Sequence, residues 1–215
     1  MKNKRTYYHL ILDRSGSMSS CIEETITGVN SQIRRIKELA ARFPDQEIVT
    51  SLSLFNQKVS LVRDRVRPDE LNEVSFADYK PDGMTALYDA IGISVSHLNK
   101  QISKEIENNE ASVVVVIFTD GYENFSRQYN HQRISSIIKE LELTGKWTFS
   151  YVGASLDAVN IAVSLNIKAS NAAHYSIQDT EIQFHNLSNR MEKYINLKDQ
   201  GIISDEFLEN ENPND

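Results

Sequence analysis

Tyr7-Tyr8-His9-Leu10-Ile11-Leu12-Asp13-Arg14-Ser15-Gly16-Ser17 is the stretch on which the fold of this chain turns. An apolar strand from Tyr8 to Leu12 runs into a carboxylate, a tight turn and two hydroxyls. Two later segments echo it: Gly83-Met84-Thr85 and Phe118-Thr119-Asp120-Gly121. In extended backbone, residues two apart point the same way, so Asp13, Ser15 and Ser17 can aim at a common point while Gly16 lets the chain turn. Together the three segments form a candidate metal site of Asp13, Ser15, Ser17, Thr85 and Asp120. Every ligand offered is a hard oxygen. That suits Mg2+, with Mn2+ or Ca2+ as substitutes, and supplies none of the sulfur or imidazole that zinc and copper favour.

The rest of the chain reads outward from that strand as strands alternating with helices. Glu47 to Phe55 and Lys58 to Val66 are expected as two strands joined by a short turn at Asn56-Gln57. Val113 to Thr119 is a β-branched apolar run, the pattern of a central strand buried on both faces. Between them, Ile22, Ile26, Val29, Ile33, Ile36 and Ala40 recur every three or four residues to about Arg42, and Ser20-x-x-Glu23 predicts a capping box at the start of that helix. A second stripe, Leu87, Ile91, Val95, Leu98, Ile102 and Ile106, predicts a helix opening just after Thr85. Further helices are expected near Ile134 to Leu143, Leu156 to Leu165 and Thr180 to Leu197, with a strand at Trp147 to Val152 and a short segment near Ile167. The alternation implies an α/β, doubly wound, mostly parallel Rossmann-like sheet with helices on both faces. Residues 1–200 form one domain in this reading, and 201–215 an acidic C-terminal tail expected to be mobile.

Composition narrows the function classes. At 215 residues the chain can bury one good α/β core, and 40% hydrophobic with 25% charged residues is ordinary for a globular domain. A formal net charge of −7 argues against nucleic acid or an anionic membrane as the main partner, since both need a basic footprint. The basic N-terminal residues are followed by an apolar stretch interrupted by His9, which does not read as a signal peptide. The single cysteine, Cys21, excludes an internal disulfide and fits a reducing compartment, so a cytoplasmic location is expected. The five histidines show no metal-binding spacing and are assigned to packing or surface.

The three segments resemble the metal-ion-dependent adhesion site of the von Willebrand factor A (vWA) domain family, and the resemblance runs from about Thr6 to Ile195, in the manner of its single-domain bacterial intracellular members. It implies the sheet order 3-2-1-4-5-6 with one antiparallel edge strand. It also implies that the Ser15, Ser17 and Thr85 hydroxyls are direct or near-direct ligands, while Asp13 and Asp120 bind largely through water. An Asp or Glu of a protein partner would then complete the Mg2+ coordination, giving a non-catalytic, cation-dependent protein-protein interaction module. Met84 stands where many relatives have a second glycine, and Arg14 fills a position that varies. Arg14, Met18, Met84, Tyr122 and Glu123 are the expected partner-contacting rim. The alternative reading is an enzyme, a metal-assisted phosphohydrolase using Asp13 at the end of the first strand. That class expects a second acid two residues later, where Ser15 stands. An EF-hand loop starting at Asp13 is discarded because Met18 occupies the position that needs glycine.

Overall fold

Both faces of the first strand are apolar, and this divides the interior in two. In β1 (Arg5–Asp13), Tyr8, Leu10 and Leu12 join one buried cluster while Tyr7 and Ile11 join another on the opposite side. In β4 (Ala111–Thr119), Val114, Val116 and Phe118 go to the first cluster and Val113, Val115 and Ile117 to the second. Such strands need a helical layer on each face. The computed structural model, which describes residues 4–208, supplies both. Helices α1 (Ile22–Arg42) and α5 (Thr180–Asp199) cover one face. Helices α2 (Leu87–Glu107), α3 (His131–Glu142) and α4 (Ala158–Ser164) cover the other.

The remaining strands are β2 (Glu47–Phe55), β3 (Val59–Val66), β5 (Trp147–Gly153) and β6 (Ala172–His174). They form a six-stranded sheet of order β3-β2-β1-β4-β5-β6, parallel throughout except for the β2–β3 hairpin. This is the expected Rossmann-like sheet. The reversal of strand order falls between β1 and β4, where ligand crevices form in open doubly wound sheets. Both edges are blunted. The β3 edge carries two register irregularities against β2 and a residue of positive φ, Arg65 at 51°, while β6 is three residues long.

Three local expectations differ from the structure. The predicted capping box does not form: a 3-10 turn, Gly16–Cys21, precedes α1, and Ser20 Oγ donates to the Ser17 carbonyl. The last strand lies a few residues beyond Ile167, because Ala169–Asn171 first makes a 3-10 turn. The tail is docked as far as it is described. Phe207 is buried with its ring 6.3 Å from Tyr8 and 6.2 Å from Tyr194, and Asn171 Oδ1 accepts from the Phe207 N–H at 2.6 Å. Lys168 pairs with Asp205. Residues 201–208 thus pack on the domain, and the rest of the expected acidic tail, 209–215, lies outside the described residues.

Tight packing joins α1 to α5. A Cβ placed on Gly28 would meet the Phe184 side chain at 2.3 Å, so glycine lets the helices approach. At the far end of α5, Lys198 turns into the interior and is 2% exposed. Its Nζ donates to the Arg5 carbonyl at 2.5 Å, Thr6 Oγ1 at 2.6 Å and Ser112 Oγ at 2.8 Å. Burial, with some repulsion from Lys146, holds its pKa down to about 7.

Candidate metal centre

The parallel register sets Leu12 beside Phe118, so β1 and β4 end side by side and deliver Asp13 and Thr119 to one place. Asp13 is fully buried and held from both sides: Oδ1 accepts from the Ser15 N–H at 2.6 Å and Oδ2 from Thr119 Oγ1 at 2.5 Å. Its main-chain carbonyl accepts from the Tyr79 hydroxyl at 2.7 Å. The glycine turn fits a second loop closely. The Gly16 N–H donates to the Gly83 carbonyl at 3.0 Å, and a Cβ on Gly16 would stand 3.3 Å from that oxygen.

Hydroxyls then line up above Asp13. Ser15 Oγ lies 3.2 Å from Ser17 Oγ, and Ser17 Oγ donates to Asp120 Oδ1 at 2.7 Å. Gly121 brings the β4 loop against Thr85: its Cβ position would lie 3.3 Å from Thr85 Oγ1 and 3.6 Å from Ser17 Oγ. Thr85 is fixed by paired bonds with Asn124, its N–H donating to Asn124 Oδ1 at 2.8 Å and its carbonyl accepting from the Asn124 N–H at 3.0 Å. Five residues expected as ligands, Asp13, Ser15, Ser17, Thr85 and Asp120, are thus brought to one crevice.

The electrostatics of that crevice are unbalanced. Burial raises the Asp13 carboxyl to about 6 and also raises Asp120, because neither has a cationic neighbour to offset the loss of water. Asp120 Oδ2 is buried without a hydrogen-bond partner. Buried polar atoms are seldom left unpaired, and an orphaned carboxylate oxygen on a residue already joined to the Ser17–Ser15 hydroxyl pair fits a small hard cation. Among the described residues, no group of three or more His, Cys, Asp or Glu side chains could hold a metal, so the donor set here is hydroxyl-rich and only partly anionic.

Two of the expected rim residues are not available to a partner. Met18 is fully buried in the α1-side core, because the 3-10 turn points it inward. Glu123 faces its own loop and the start of α2, its carboxylate accepting from the N–H groups of Tyr88, Phe125 and Ser126 and from Ser126 Oγ at 2.7–2.9 Å. Met84 and Tyr122 are exposed and Arg14 is part-buried at the edge. Thr119 and Tyr79 hold Asp13 and were not singled out from sequence. For Thr119 the signal was its place beside Asp120 at the end of a central strand. Tyr79 had none, since its contact spans 66 residues of chain. A 570 Å3 cleft lined by Lys37, Pro44, Gln46 and Arg67 opens at the opposite, amino end of the strands.

No family model and no curated protein matches the sequence. Similarity appears among solved structures. PilB minor pilin from Streptococcus sanguinis superposes with a TM-score of 0.64 at 12% identity, covering 90% of this chain and 62% of that one. The ArnB paralog VWA2 from Sulfolobus acidocaldarius gives 0.55 at 16% identity, covering 88% and 45%, and the manganese-loaded TRAP protein of Plasmodium vivax gives 0.53 at 15%, covering 85% and 72%. The chain thus spans less than two thirds of PilB and of VWA2. With a matching strand order and these neighbours, the chain has a von Willebrand factor A-like fold.

Proposed function

We propose that this chain is a non-catalytic interaction module that holds a divalent cation, Mg2+ or in its place Mn2+ or Ca2+, and through it an Asp or Glu of a protein partner. The observation that carries the reading is a Ser17 hydroxyl that neighbours the Ser15 hydroxyl, shares the surroundings of Gly121 with Thr85 Oγ1, and donates to an Asp120 whose Oδ2 lacks a partner. When bound, the cation supplies a Lewis-acidic position for an external carboxylate oxygen. The chain's own part is to present neutral oxygens. Ser17 spends its proton on Asp120, which leaves its lone pairs for the ion. Asp13, locked by Thr119 and the Ser15 N–H, contributes charge from a fixed position.

A site with few anionic ligands of its own favours an anionic newcomer, and this is why the partner group is taken to be a carboxylate. The TRAP structure, manganese-loaded, supports divalent-metal binding on this fold. The non-catalytic reading is favoured over a phosphohydrolase because a nucleophilic Asp13 must reach its substrate, and this side chain is fully buried and held at both oxygens. A cytoplasmic location, expected from the single cysteine, and a partner other than nucleic acid or membrane, expected from the net charge of −7, belong to the same proposal. Among the described residues no helix is long and apolar enough to cross a membrane.

The test is calorimetric titration of Mg2+ and Mn2+ into the parent and into Asp120→Ala, with circular dichroism as the control for folding. Saturable binding is expected in the parent and none in the variant. Equal affinity in both, with the fold intact, would remove the site from consideration.

A further inference from the structure

We infer that Asn56, at the tip of the β2–β3 hairpin, is a positioning residue of the metal centre: it acts on the cation through the loop that carries Thr85, holding that loop at a set spacing from the loop that carries Ser15 and Ser17. This role rests on the cation-dependent reading above. Because the candidate ligands ride on separate loops, the spacing between the loops fixes the spacing of the hydroxyls. Three bonds join the stretch 79–85 to the stretch 13–17. The Tyr79 hydroxyl donates to the Asp13 carbonyl at 2.7 Å, the Asp82 N–H to the Arg14 carbonyl at 3.0 Å, and the Gly16 N–H to the Gly83 carbonyl at 3.0 Å. Residues 82–84 are themselves exposed, so hydrogen bonds, more than packing, fix their place.

The hairpin tip grips the Thr85 loop at alternate residues. Asn56 Nδ2 donates to the Asp82 carbonyl at 3.1 Å and also to Asp82 Oδ1, the Met84 N–H donates to Gln57 Oε1 at 2.9 Å, and the Ala86 N–H donates to the Asn56 carbonyl at 2.9 Å. The same tip reaches the other loop, since the Arg14 N–H donates to the Phe55 carbonyl at 2.7 Å. Residues 14, 82 and 55–56 therefore close a ring of hydrogen bonds around the edge of the crevice. Asn56 is 4% exposed, and its Oδ1 accepts from the Lys58 N–H at 2.9 Å. Both ends of the carboxamide are thus in use: the oxygen shapes the hairpin turn and the nitrogen braces Asp82. Mg2+ demands near-ideal octahedral geometry, whereas Ca2+ accepts variable distances and ligand numbers, so a loosened brace costs the smaller ion more. That difference separates positioning from general stability.

The test is calorimetric titration of Mg2+ and of Ca2+ into the parent and into Asn56→Ser, with amide hydrogen exchange of the metal-free proteins as a readout independent of the ion. Serine keeps a neutral acceptor for the Lys58 N–H but is too short to brace Asp82. Asn56→Ser is expected to lose about tenfold in Mg2+ affinity and only about threefold in Ca2+ affinity, and to exchange the Asp82 and Met84 N–H groups faster than the parent. A variant that is folded by circular dichroism and binds Mg2+ like the parent, loses both ions by the same factor, or leaves both amides as protected as before overturns the inference while leaving the cation site in place. If Asn56→Ser does not fold, Gln57→Ala, at an exposed position, takes its role: a loss of about threefold in Mg2+ affinity with Ca2+ affinity unchanged supports the brace, and parent-like affinity for Mg2+ overturns it. A parent that binds neither ion overturns both readings.

Discussion

Thr85 and Lys198 show what single side chains do at the two ends of this sheet. Thr85 is 3% exposed and its backbone is pinned to Asn124, so its hydroxyl is the group left to act. Thr85→Ser is expected to keep Mg2+ affinity within about threefold, and the nearly isosteric Thr85→Val to lose tenfold or more, since a charge-assisted oxygen contact is worth about 1.5–3 kcal/mol. Equal titration curves for the two variants would reduce Thr85 to a packing residue. Lys198 predicts a pH effect. Its folded pKa of about 7 lies below the unfolded value of about 10.4, so between these the unfolded chain binds the proton and the folded chain does not. Its contribution to stability therefore rises from pH 7 toward pH 10 and is lost as pH falls to 7. In urea titrations from pH 7 to 9.5, the parent should gain stability relative to Lys198→Met, by up to about 3 kcal/mol. A pH-independent difference would show that the amine does not titrate in the fold. The ligand set was legible in sequence because it sits in three short motifs, each at a strand end or helix mouth. Lys198 was not, for a lysine in a last helical turn ordinarily faces water.

At the level of elements, periodicity did most of the work. The stripe Ile26, Val29, Ile33, Ile36 predicted the buried face of α1, and the unbroken run Val113 to Phe118 predicted a strand covered on both sides. The capping box at Ser20 failed because the same residues are drawn into the 3-10 turn that shapes the metal loop, a tertiary demand that outweighs a local cap. The closeness of α1 to α5 was also hidden, since a helix glycine announces only a loss of propensity. Gly28→Ala should gain about 1 kcal/mol of helix propensity and lose about 1–3 kcal/mol to overpacking against Phe184. The expected outcome is a lower Tm. A double-mutant cycle with Phe184→Ala should show coupling of about 1 kcal/mol or more; strict additivity would mean the helices shift apart without cost.

Across the whole molecule, strand order was readable only through the resemblance to a known fold, because alternating strands and helices restrict topology without choosing one. Docking of the segment to Leu208 was not readable, as Phe207 stands between the acidic residues Asp205, Glu206 and Glu209 and not in a periodic apolar stripe. Phe207→Ala should cost about 3 kcal/mol, measured as a fall in the urea midpoint with unchanged slope, because the ring is buried between β1 and α5. A surface-like effect of a few tenths would show that the segment is not held. The blunted strand edges have a consequence for how copies of the protein meet. A sheet grows by adding a strand to an open ladder, and here one border is kinked at Arg65 while the other offers three residues. Concentrated protein is therefore expected to resist edge-to-edge association, each molecule repelling its neighbours through the net charge of −7 and giving them little regular backbone to copy.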